Sequence, residues 1–156
     1  MTRCMKKCYL DSNILIYYKN QDSPFHSQTK TLITHLIIND FYPTISPLVI
    51  GEFIHQFRLL LINNKTKSST VFINLTTALK QIFSLPHLEI INPPKSLQSQ
   101  LKTIALMEKF SLRPRDAYHL LTMKHHQIKY FATFDQDFKK VFKQKILSPI
   151  DAQTLH

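Results

Sequence analysis

The feature that most constrains this chain is an alternation of two kinds of segment. Short apolar runs, rich in β-branched and aromatic residues, alternate with longer stretches whose apolar residues recur at helical spacing. The short runs are residues 7–10, 41–45, 88–91 and 128–133, and 145–147 reads as a last edge strand ahead of Pro149. Between them, residues 12–18, 24–38, 67–83 and 95–110 place apolar side chains every three or four positions. Two further helices announce their starts. Ser46-Pro47 offers an N-cap and a first-turn proline for a helix to about Ile62, and Arg113-Pro114 opens one to about His126. Strands alternating with helices predict an α/β sandwich with a mainly parallel sheet. The polar breaks at 20–24, 63–69 and 92–95 read as loops, so residues 1–156 form a single domain.

Several classes of function are excluded by what the chain lacks. Gly51 is the only glycine, which rules out a glycine-rich phosphate loop and a dinucleotide fingerprint. A glycine inside a helix costs about 1 kcal/mol relative to alanine, and its position beside Glu52 suggests that another backbone approaches closely there. No apolar run reaches the roughly 20 residues needed to span a bilayer. The first ten residues lack the apolar core of a signal peptide, so a cytoplasmic protein without membrane contact is expected. Cys4 and Cys8 are too few and too close for a disulfide framework or a four-cysteine zinc site. They read as reduced thiols, with Cys8 in the core.

Charge supplies the positive clue. Twenty Lys and Arg against ten Asp and Glu give a formal net charge of +10, which favours a polyanionic partner such as nucleic acid. In a chain this poor in acid, the places where carboxylates do occur are informative. Asp22, Asp40, Glu89, Glu108 and Asp151 fall in loops, at element ends or on polar faces. The other five do not. Asp11 ends the first strand, and Asp135 and Asp137 follow the strand Tyr-Phe-Ala-Thr. Glu52 is embedded among Ile50, Phe53 and Ile54, and Asp116 lies in the first turn of a helix. In a parallel sheet all these positions share the carboxyl edge, where ligands bind. Carboxylates converging there repel one another unless a divalent cation neutralises them. All-oxygen ligation suits Mg²⁺ or Mn²⁺ rather than zinc. A cationic protein with such a pocket is suited to cutting a phosphodiester. Each acid also has a plainer role open to it. Asp11 and Asp137 could be helix caps, Asp116 could complement a helix dipole, and Asp135 could be a turn residue.

The sequence resembles the PIN-domain nucleases, and within them the VapC-type toxins of toxin–antitoxin pairs. The resemblance rests on LDSNILIYY with Asp11, ISPLVIGEF with Glu52, RDAYHLL with Asp116 and ATFDQDF with Asp135, in that order over nearly the whole chain. It implies a three-layer α/β/α sandwich and an endoribonuclease dependent on Mg²⁺ or Mn²⁺. Asp11, Glu52, Asp116 and Asp135 would be the catalytic acids, with Asp11, Asp116, Asp135 and Asp137 around the metal. Either Asp135 alone or Asp137 with it would complete that set. Ser12, Asn13 and Thr133 match supporting positions. The resemblance further implies an RNA substrate, a cognate antitoxin and a homodimer.

Other residues invite chemistry less strongly. Arg113 and Arg115 flank Asp116 where they could meet RNA phosphates. His55 and His119 lie three residues after Glu52 and Asp116 and could hydrogen-bond near the site, although exposed or core histidines are the plainer interpretation. The adjacent His125 and His126 have poor geometry for shared ligation. Tyr130, Phe131, Phe134 and Phe138 could stack bases, but their pattern favours core packing. The stretch 63–83 matches nothing catalytic and could serve dimer or antitoxin contacts, or cover the sheet. Two other functions remain open. One is a non-catalytic RNA- or protein-binding module on the same fold. The other is a phosphohydrolase using Asp11, whose usual DxD motif is here Asp11-Ser12-Asn13.

Overall fold

The computed structural model describes residues 5–151. Among these described residues, the core is a five-stranded, wholly parallel sheet in the order β3-β2-β1-β4-β5. The strands are β1 (Lys6–Leu10), β2 (Phe41–Ile45), β3 (Glu89–Ile90), β4 (Tyr130–Ala132) and β5 (Ser148–Pro149). The helices among the described residues are α1 (Ser12–Lys19), α2 (His26–Ile38), α3 (Pro47–Asn63), α4 (Ser68–Phe83), α5 (Leu97–Phe110), α6 (Pro114–His125) and α7 (Lys139–Lys143). A 3-10 turn, Gln136–Phe138, leads into α7. The first two crossovers step one way along the sheet, and the third returns over two strands to reach β4. Because parallel crossovers are right-handed, α1 to α4 cover one face and α5 to α7 the other. The helix packing agrees, with α1 against α2 and α3, α3 against α4, and α5 against α6. The architecture is the expected three-layer α/β/α sandwich.

β1 is central, and its last residues carry no exposed surface: Cys8, Tyr9 and Leu10 are fully buried. Burial pushes the Cys8 thiol far above its ordinary value, so it is an inert core residue. Cys4 lies outside the described residues. Tyr9 packs against Phe131 of β4, which in turn meets Phe138 edge-on. Phe131 and Phe138 are fully buried, Tyr130 meets Phe41 edge-on, and Phe134 packs on Tyr17 and Phe25, so this aromatic stretch serves packing.

Proline within β2 is accommodated by the shortness of β3. Ile45 points its carbonyl at β3, where Ile91 N–H meets it at 2.8 Å. Pro43, two residues earlier, faces the same side, but pairing with β3 begins only at Thr44. Its missing N–H therefore breaks no ladder bond.

Two expectations are corrected. The last strand is Ser148–Pro149, not 145–147: Lys145 has a left-handed φ of 57° and closes α7. Ser148 and Ile150 donate to Lys129 and Phe131, so Pro149 occupies the outward position of an edge strand, where no donor is needed. Gly51 has no close backbone neighbour either. A Cβ built there would meet nothing within 4 Å, and the residue is exposed on α3. Among the described residues, no helix is long and apolar enough to cross a membrane.

Candidate active site

β1 and β4 are neighbours in the sheet but far apart in the chain, and the connections leave them in opposite directions. Such a reversal opens a crevice at the strands' carboxyl ends. Asp11 stands at this point. Its N–H donates to the Ala132 carbonyl at 3.0 Å, extending the pairing one step beyond β4 and bringing Thr133 alongside. Thr133 Oγ1 donates to Asp11 Oδ2 at 2.6 Å and accepts from Asp135 N–H at 2.9 Å. Asn13 Nδ2 reaches both Asp11 Oδ2, at 3.3 Å, and Thr133 Oγ1, at 3.4 Å, and its Oδ1 accepts from Phe134 N–H at 3.4 Å. Ser12 N–H donates to Asp11 Oδ1 at 2.7 Å, so the acid also caps α1. Ser12, Asn13 and Thr133 therefore all stand in the hydrogen-bond frame around Asp11. Asp11 is only 7% exposed. Burial raises its carboxyl above the ordinary range despite the Thr133 and Ser12 hydrogen bonds and the His119 imidazole, and Glu52 adds to the rise.

α3 delivers Glu52. Ser46 caps this helix, accepting from Val49 N–H at 3.4 Å, and Pro47 fills its first position. Buried Val49 and Phe53 set the inward face, and Glu52 lies at its edge. Burial acts to raise the Glu52 carboxyl, but the His119 imidazole, the Ser12 hydroxyl and Arg115 together hold it below the ordinary range. His119 Nε2 lies 3.1 Å from Glu52 Oε2, and the Arg115 guanidinium 3.6 Å from Oε1.

α6 presents Asp116 in its first turn, after Arg113 and Pro114. Its carboxyl is pushed up to about 6, first by burial and then by the negative charge of Asp135, Asp11 and Asp137, with His119 opposing. Asp135 caps the 3-10 turn by accepting from Asp137 N–H at 2.9 Å. The cap is thus Asp135 rather than Asp137. Asp137 is exposed and lies 4.0 Å from the Arg113 guanidinium.

All five carboxylates line one open cleft of about 570 Å³, together with Ser12, Asn13, Arg113 and Arg115. In and just behind it the metal-capable groups fall into two sets: Asp11, Glu52 and the buried His119, and Asp116, Asp135 and Asp137, each with donor atoms within 4.8 Å of one another. Asp135 and Asp137 both belong to the second set, so geometry does not choose between them. The donor chemistry fits a hard divalent cation: carboxylate oxygens predominate, and the mutual repulsion that adds to the effect of burial on Asp116 is what such an ion relieves.

His119 is the residue that sequence reasoning undervalued. It is buried at 2% exposure and bonded to Glu52 on another helix, not to Asp116 on its own. The only signal was its place on the inner face of α6. His55 is exposed.

The family model described as PIN domain matches residues 8–143 of this chain. The chain belongs to the PIN domain family. No curated protein matches it significantly in sequence. Solved structures share the fold of this PIN domain at low identity. VapC20 of Mycobacterium tuberculosis, described as a sarcin-ricin loop cleaving toxin, is 16% identical at a TM-score of 0.60, over 86% of this chain and 94% of that one. A chain of VapBC2 from Rickettsia felis, bound to a promoter DNA fragment, is 19% identical at 0.63, over 92% and 97%. A chain of a Klebsiella pneumoniae toxin–antitoxin complex is 19% identical at 0.54, over 84% and 89%.

Proposed function

We propose that this PIN domain is a metal-dependent endoribonuclease and the toxin of a type II toxin–antitoxin pair. The observation that carries the proposal is the convergence of Asp11, Glu52, Asp116, Asp135 and Asp137 in one cleft of a chain with a net charge of +10. The description of VapC20 as a sarcin-ricin loop cleaving toxin supports it, as does the toxin–antitoxin complex among the structural neighbours.

Asp11, Asp116 and Asp135, with Asp137 beside them, would hold Mg²⁺ or Mn²⁺, and Glu52 would complete the acidic set. A divalent ion bound there supplies activation of a water and neutralisation of charge developing on the scissile phosphate. The chain's own residues do the rest. Thr133 and Asn13 fix the orientation of the Asp11 carboxylate. Arg113 and Arg115, 82% and 64% exposed at the rim, meet the phosphates flanking the cut. An antitoxin would silence the site by covering this cleft, and the toxin would act as a homodimer.

The test is cleavage of unstructured and structured RNA by the purified protein with Mg²⁺, with Mn²⁺ and with chelator, beside Asp11→Asn and Asp116→Asn. Cleavage should require the metal and be lost in both variants. RNA binding with no metal-dependent cleavage would instead identify a non-catalytic module, and cleavage surviving both substitutions would sink the assignment.

A further inference from the structure

Behind the cleft lies a chain of polar groups with no access to solvent. Ser46 is 1% exposed, Tyr9 0% and His119 2%. Tyr9 Oη stands 2.6 Å from Ser46 Oγ and 2.8 Å from His119 Nδ1, and His119 Nε2 stands 3.1 Å from Glu52 Oε2. The groups come from four places in the fold: the end of β1, the cap of α3, the middle of α6 and the inner face of α3. A fully buried tyrosine hydroxyl and serine hydroxyl are costly unless each proton finds an acceptor.

The direction of the protons follows from counting. Ser46 Oγ already accepts from Val49 N–H, and its other hydrogen-bond partner is Tyr9. If Tyr9 donated to Ser46, the serine's own proton would have no acceptor. Ser46 therefore donates to Tyr9, and Tyr9 donates to His119 Nδ1. The imidazole proton is left on Nε2, where it meets the Glu52 carboxylate. Every buried donor and acceptor in the row is satisfied by this one arrangement.

We infer that His119 is a positioning residue for Glu52. Set in the Nε2–H tautomer by Tyr9 and Ser46, it pins Oε2 and leaves Oε1 to the cleft, where Arg115 is the neighbouring cation. A carboxylate pinned at one oxygen presents the other in a single orientation, which is how outer hydrogen bonds tune metal ligands. The inference rests on the proposed nuclease function, in which Glu52 completes the acidic set beside the metal ligands and its orientation bears on how tightly the ion is held.

The test uses Mn²⁺ alone, without RNA. A glutamine amide at position 119 reaches about as far as Nε2 and can still donate to Glu52. An asparagine amide reaches only about as far as Nδ1 and keeps Tyr9 instead. By calorimetric titration, His119→Gln should bind Mn²⁺ within about threefold of wild type and His119→Asn about tenfold more weakly, with thermal unfolding followed in both. Imidazole ¹⁵N spectra of the metal-free protein should show His119 protonated at Nε2, and Tyr9→Phe, which takes the donor away from Nδ1, should release that preference. Equal Mn²⁺ affinities in the two position-119 variants, or an Nδ1–H tautomer in wild type, overturn the relay while leaving the nuclease function intact. Wild-type protein that binds no Mn²⁺ overturns both.

Discussion

Asp116 is partly buried and feels three other carboxylates at once, and its behaviour with pH follows. Its carboxyl rises from 3.8 to about 6 in the folded protein. Between those values the folded state holds a proton that the unfolded chain has released. The stabilisation is complete below about pH 4 and is lost as pH rises through about 6. Metal-free protein should therefore melt at progressively lower temperature across that window, and saturating Mg²⁺ or Mn²⁺ should abolish the loss. Mn²⁺ affinity should climb towards pH 6 and then level, because the ion competes with that proton. Thr133 makes a second prediction at this scale. Thr133→Val removes the donor to Asp11 and the acceptor for Asp135 N–H. It should lower stability by about 1–3 kcal/mol in denaturant titration and weaken Mn²⁺ binding by about tenfold. The five acids were legible in the sequence because each sits at a place a parallel sheet sends to one edge. His119 was not, because its partner is 67 residues away and only the tertiary fold joins them.

Among the elements, helix ends carry an unusual burden. Asp40, Lys65, Ser111, Gln127 and Lys145 follow helices with φ between 55° and 59°, a conformation that glycine adopts without strain. After α3, Lys65 N–H bonds to Ile62 and Thr66 N–H to Leu61, a full Schellman closure built on a lysine. The one glycine is meanwhile spent in the interior of α3. Gly51→Ala should raise stability by about 1 kcal/mol, and Lys65→Gly by a comparable amount, both measured by chemical denaturation. Two serine caps give a further contrast. Ser96 accepts from Ser99 N–H at 3.1 Å on α5, remote from the cleft. Ser46 and Ser96 should each cost about 1 kcal/mol when changed to alanine, but only Ser46→Ala should disturb Mn²⁺ binding. Long amphipathic elements such as α2 and α4 were readable from periodicity, and α3 from its Ser46-Pro47 start. The short edge strand β5 was expected too early in the chain because Ile146 and Leu147 look like a strand, yet they serve to pack the turn after α7 against the core.

For the molecule as a whole, the +10 charge and the acidic cleft act on different ranges. On the proposed function, the cations would draw in the polyanion, and the cleft would reject it until a divalent ion is present. Binding of RNA by the uncleaving Asp116→Asn protein should weaken steeply with salt. Replacing Arg113 and Arg115 together should reduce the slope of log affinity against log salt by about 1.4, roughly 0.7 for each phosphate that an arginine neutralises on a single strand. The measurement is a fluorescence anisotropy series at several salt concentrations, and an unchanged slope would place the RNA elsewhere.

The meeting of β1 and β4 also has a consequence for synthesis. The hydroxyl that orients Asp11 belongs to Thr133, made 122 residues later. Asp116 and Asp135 are made almost as late. The growing chain therefore keeps its acids dispersed until β4 has emerged. On the proposed function, a ribonuclease built this way would be harmless to the message and the machinery producing it until β4 pairs with β1.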